Sequence, residues 1–215
     1  LPCWVHEKPE RSVFLFLLAR RFLPDEGALL ATAFFLLCPF SVTLSRSLQP
    51  DSMAIMGLLA SLWAAWRYFE KPAPGRLAAC ALLGGLAILV KPGCTQFTVL
   101  AVFIAMMWNE RRLRQAATGR DAWLFLVVAA APVMAYLPSA LANQSSYEHV
   151  LSINFLPSLW LTVYFWKGWA GNLLQVLGLI GLLLGLAGLF LLPAGRARAM
   201  AAGWIAGYAV QCLLT

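Results

Sequence analysis

A short polar stretch between two long apolar ones carries the first groups that could do chemistry. It is Thr43-Leu44-Ser45-Arg46-Ser47-Leu48-Gln49-Pro50-Asp51. Residues 27–43 before it and 53–66 after it have no charged residue. Pro50 lacks an amide N–H and suits the first turn of a following helix. Asp51, in that same turn, lies near free N–H groups and the positive end of the helix dipole. A carboxylate held there stays ionised and faces water or a ligand. Lys91 closes another apolar run just before Pro92, and a compact ammonium at a helix C-terminus suits a phosphate at a membrane surface. Each group also has a plainer reading. Arg46 can be an anchor among headgroups, Asp51 a helix start, and Lys91 a snorkelling side chain. Tyr147-Glu148-His149 offers an acid/base or metal-ligating pair, or a solvated loop, since one His and one Glu fall short of a usual metal site.

The elements that must position these groups follow from composition. The chain has 215 residues, of which 61% are hydrophobic and only 12% charged. Soluble domains carry about twice that charged fraction, so an all-α integral membrane protein is expected. The apolar runs are too long and too poorly alternating for an outer-membrane barrel. The net charge of +7 does not indicate nucleic acid, because the basic residues are split into short groups between apolar runs. Cys3, Cys38, Cys80, Cys94 and Cys212 form no C-x-x-C pair and give no disulfide framework or zinc knuckle. No G-x-S-x-G, H-E-x-x-H or Walker sequence is present.

Residues 1–11 are polar and mixed, and 12–19 read as half a helix closed by Arg20-Arg21. Spans are expected at 27–43, 53–69, 77–90, 96–108, 122–142, 173–192 and 200–215, about seven to eight segments with the first partial one. They form a single transmembrane domain over 1–215, a polytopic helical bundle. Pro72-Ala73-Pro74-Gly75 is expected to forbid helix, and Pro132 and Pro138 to interrupt one. Gly84-Gly85 should allow close backbone approach. Gly178, Gly181, Gly185 and Gly188 share one helix face and should pack on a neighbour. The aromatic stretch 155–169 should form a short helix lying in the interface. Asn143-Gln144-Ser145 is a glycosylation sequon that matters only in a eukaryotic lumen.

Orientation follows from the loops. With the Arg20-Arg21 turn inside and the segments alternating, eleven Lys and Arg lie inside and at most five outside. The outer loops 44–52, 91–95 and 143–171 then share one face. That topology brings Arg46, Asp51, Lys91 and His149 to the same side of the bilayer.

In order along the chain come Leu17-Leu18-Ala19-Arg20-Arg21-Phe22-Leu23, Ser45-Arg46, Pro50-Asp51 and Gly84-Gly85-Leu86-Ala87-Ile88-Leu89-Val90-Lys91-Pro92. Leu156-Pro157-Ser158-Leu159 and Phe165-Trp166-Lys167-Gly168-Trp169 come later. This series resembles the membrane glycosyltransferases of the protein O-mannosyltransferase and aminoarabinose-transferase type, family 39 and its relatives, with the GT-C fold. The resemblance implies sugar transfer from a polyprenyl-phosphate-linked donor to a protein, lipid or glycan, at the extracytoplasmic face of a bacterial inner membrane. It implies Asp51 as catalytic carboxylate, Lys91 and Arg46 as contacts to the donor phosphate, and His149 as ligand of a divalent metal. Membrane lipids and the lipid-linked sugar are the implied partners. The resemblance also places the principal acidic motif in a first outer loop, before Ser12. Glu7 and Glu10 do not match it, so the chain is expected to be N-terminally incomplete and inactive alone. The competing classes are a transporter or flippase of a lipid-linked substrate, and a non-catalytic membrane fragment. Transporters place polar groups near the midplane, whereas here they gather at one face.

Overall fold

Long Leu- and Ala-rich runs satisfy their backbone polar groups locally by coiling, the solution that lipid also demands. The computed structural model describes residues 8–38, 51–91, 95–110, 119–142 and 157–214, and among these there are helices and no strand. In chain order they are α1 (Lys8–Ala19), α2 (Asp25–Leu37), α3 (Asp51–Glu70), α4 (Pro74–Val90), α5 (Gln96–Asn109) and α6 (Arg120–Ala142). A 3-10 turn at Pro157–Leu161 precedes α7 (Val163–Leu191) and α8 (Arg196–Leu214).

Several boundaries differ from expectation for local reasons. Helix α1 reaches back to Lys8, because Pro9 falls in the first turn, where its missing N–H costs nothing. Pro74 starts α4 rather than preventing it, following an extended Ala73. Helix α6 runs through both Pro132 and Pro138. The aromatic stretch forms the 3-10 turn Pro157–Leu161 and the first part of α7. Thr162 is extended, its hydroxyl accepts a hydrogen bond from the Phe165 N–H at 3.4 Å, and α7 starts there. Helix α7 is then broken at Gly178, whose φ of 67° lies in the left-handed region. Its halves, Val163–Val176 and Gly178–Leu191, meet at 92°. The expected straight span over 173–192 is therefore two pieces.

Small residues set the packing. Gly84 and Gly85 sit on opposite contacts of α4. A Cβ on Gly84 would come within 2.8 Å of Val99 Cγ1 on α5. One on Gly85 would come within 3.1 Å of Pro132 Cδ on α6. Gly57 of α3 meets Ala87 of α4 at 3.0 Å in the same sense. The α3–α4 pair also exchanges polar contacts. Ser61 Oγ donates to Cys80 O at 3.4 Å, and Cys80 Sγ donates to Ser61 O at 3.7 Å. Such contacts hold helices together where no hydrophobic difference separates protein from solvent. Aromatic rings fill the centre, with Phe103 of α5 stacked on Phe125 of α6 at 3.7 Å. Phe14 and Phe22 pack edge-on against Trp63 and Trp66 of α3.

The outward faces are apolar too. On α2, Leu30, Phe34 and Leu37 are exposed, and on α7 so are Ile180, Phe190 and Leu191. Surfaces of that kind suit lipid rather than water. Among the described residues one helix, over Arg120–Ser139, is long and apolar enough to cross a bilayer on its own, and the bent α7 pair adds a second if counted as one span. Helices α4 and α5 are apolar but shorter, at 17 and 14 residues.

Candidate functional site

Two contacts fix which helix ends lie together. Gly57 lies six residues after the start of α3, and Ala87 lies three before the end of α4. At about 1.5 Å per residue, the start of α3 and the end of α4 therefore rise to levels within a few ångströms of each other. Asp51, first residue of α3, and Lys91, C-cap of α4, occupy that shared end. The Lys91 N–H donates to Ala87 O at 3.4 Å, and the half-buried residue takes part in further interactions. The negative end of the α4 dipole favours its ammonium there. Arg46 and His149 lie outside the described residues, as do the loop before Asp51 and residues 143–156. Among the described residues no three His, Cys, Asp or Glu side chains come together to hold a metal ion.

The opposite end of the bundle is cross-linked by charge. Arg21 at the end of α1 donates to Glu70 at the end of α3 at 2.9 Å, and Trp66 Nε1 donates to the same carboxylate oxygen at 2.9 Å. Tyr68 of α3 donates to Asp121 of α6 at 2.5 Å. Arg196 at the start of α8 forms a two-pronged pair with Glu110 just beyond α5, Nε to Oε1 and Nη2 to Oε2 at 3.3 Å. Hydrogen bonding to Glu110 raises the Arg196 pKa, partial burial opposes it, and the charges of Glu110 and Glu70 add to the rise. These pairs bring the ends of α1, α3 and α5 to the starts of α6 and α8. Successive helices from α1 to α6 therefore run in alternating directions, and Asp51 and Lys91 sit away from the basic end. Sequence reading used Arg21 and Arg196 as topology signals, and Arg21 within the family-like series, but gave neither an acidic partner. The acidic residues at the other helix ends of the same side, Glu70, Glu110 and Asp121, were the available hint that the ends pair.

The cavities lie elsewhere. One, of about 730 Å³, is a groove between α5 and α8 lined mostly by Ala and Gly, with Trp108, Asn109 and Arg198 at one end. It holds no acid/base or nucleophilic group and does not coincide with the Asp51 end. A smaller cavity of about 300 Å³ opens beside α1 and α3 at the basic end.

A sequence model of the dolichyl-phosphate-mannose-protein mannosyltransferase family matches residues 11–138, more than half of the chain, from α1 through most of α6. The match includes both Asp51 and Lys91. No curated protein and no solved structure matches the chain.

Proposed function

The chain belongs to the dolichyl-phosphate-mannose-protein mannosyltransferase family, and from that premise we propose that this membrane glycosyltransferase moves a sugar from a polyprenyl-phosphate carrier to an acceptor hydroxyl at the extracytoplasmic face. The donor lipid lies in the bilayer with its phosphate at the Asp51 end of the bundle. The acceptor O–H attacks the anomeric carbon, and its proton passes to the Asp51 carboxylate acting as general base. The bond from the anomeric carbon to the phosphate oxygen breaks, and polyprenyl phosphate leaves with the electron pair. Lys91 and Arg46 balance the charge that grows on the departing phosphate. The remaining apolar helices of the bundle are membrane segments, seven to eight in all, and the membrane is a bacterial inner membrane.

What supports this reading is the pairing of α3 with α4, by which the start of α3, with Asp51, and the end of α4, with Lys91, share one end of a bundle whose other end is basic. Asp51→Asn in the full-length protein tests it. The expected outcome is loss of sugar transfer by about a hundredfold or more, with membrane insertion and helix content unchanged. Transfer at the wild-type rate would overturn the role of Asp51. Labelling that located Asp51 and Lys91 on opposite sides of the bilayer would overturn the reading as a whole.

A further inference from the structure

The cavity of about 300 Å³ at the basic end is bounded by Leu17, Arg20 and Arg21 of the α1 end and by Trp63 and Arg67 of α3. Three guanidinium groups from two helices therefore line one space. They are not left to wave in solvent. Arg20 is held from outside by Asp25, Nε to Oδ1 at 2.7 Å and Nη2 to Oδ2 at 3.3 Å. Arg21 is held by Glu70 through Nη1. Arg67 lies over the Trp63 ring, with Cζ 5.2 Å from its centroid. Each guanidinium has five N–H donors. The carboxylates take only two from Arg20 and one from Arg21, and no carboxylate pairs with Arg67 among the described residues. Three positive charges thus face two negative ones, with donors to spare. Like charges drawn into one cavity repel unless an anion joins them.

The walls narrow the choice of anion. Leu17 and the Trp63 ring give the cavity an apolar side, and the helix ends place it at the level where a bilayer would meet water. Planar guanidinium forks match phosphate oxygens, and basic pockets between membrane helices take acidic lipid headgroups. We infer that this cavity binds a phosphate group, that of an acidic phospholipid in the leaflet opposite the Asp51 end. The site is separate from the proposed transfer chemistry and stands or falls without it.

The test uses the purified full-length protein in neutral detergent. Phosphatidylglycerol, phosphatidylcholine and inorganic phosphate are titrated separately, and bound lipid is counted by native mass spectrometry. Phosphatidylglycerol should bind in preference to phosphatidylcholine. Arg67→Gln should weaken that binding about fivefold. Arg120→Gln, at the same end but outside the cavity, should leave it unchanged. Millimolar inorganic phosphate that displaces the lipid would identify a soluble phosphate as the ligand of the same site. Failure to displace it would identify the lipid headgroup. Equal binding of the two lipids, or full phosphatidylglycerol affinity in Arg67→Gln, overturns the inference. Should Arg67→Gln fail to insert, Arg20→Gln replaces it, since Arg20 and its partner Asp25 are both exposed. Undiminished lipid preference in that variant is equally fatal.

Discussion

Helices α7 and α8 carry the same kind of glycine spacing and use it in opposite ways. On α7, Gly178, Gly185 and Gly188 line up by helical period, yet a Cβ built on any of them meets nothing within 4 Å. On α8, Gly203 and Gly207 are four apart and pressed against α5. A Cβ on Gly203 would lie 2.7 Å from Val102 Cα, and one on Gly207 would lie 2.7 Å from Phe97 O and 2.8 Å from Thr98 N. Those atoms are backbone and cannot turn aside. Spacing puts small residues on one face of a helix, but it does not say whether a partner comes to that face. The expected packing stripe was read on α7, where no described neighbour stands at Gly178, Gly185 or Gly188. The G-x-x-x-G that does pack, Gly203 to Gly207, was equally visible in the sequence and went unread. Gly178 serves another purpose, since its positive φ permits the bend between the two halves of α7.

Substitution can break that contrast. Gly207→Val should have the largest effect, because α8 must move off α5 to admit the side chain. A loss of about 3 kcal/mol is expected, read as a large fall in the melting temperature of the detergent-solubilised protein. An unchanged melting temperature would mean that α5 and α8 are not in backbone contact. Next comes Glu110→Gln, which removes the charge from the pair that pins the start of α8 to the end of α5. Both partners are partly exposed, so the loss should be about 1 kcal/mol and should shrink in high salt. A salt-independent loss would point to packing rather than charge. The smallest effect belongs to Gly185→Ala, where no neighbour stands in the way and a helix interior prefers alanine. A gain of roughly 0.5 kcal/mol is expected in the same melting experiment. A loss as large as that of Gly207→Val would show that the α7 face is covered after all.

Much of the fold was legible because punctuation in this chain is strong. Charged and proline-rich turns separate apolar runs, and α3, α4, α5 and α6 fall where those runs predicted. Gly84-Gly85 was read correctly as a close contact. Errors gathered where local chemistry has two outcomes. Pro74 could end or begin a helix, and its place after an extended Ala73 decided for beginning. The aromatics around Trp166 fall in the piece Val163–Val176, which starts at Thr162 and is set at 92° to Gly178–Leu191, a break that apolar content alone did not announce. Within the candidate site, the residue types at Asp51 and Lys91 and their places at helix ends were plain from spacing. Arg46 and His149 stay with the sequence reading, since both lie outside the described residues.

The sequence by itself determined the all-helical character, the ends of most helices and the uneven distribution of basic residues. Those are properties of runs and boundaries, governed by neighbours within a few positions. Only the tertiary structure decided which carboxylate meets which guanidinium, that Gly203 and Gly207 rather than the α7 glycines seat a neighbour, and that Arg20, Arg21 and Arg67 line one cavity. Arg21 and Arg67 are 46 residues apart in the chain, and no local rule links them. They meet because α1 packs beside α3, and that contact is chosen by the fit of Phe14 and Phe22 against Trp63 and Trp66.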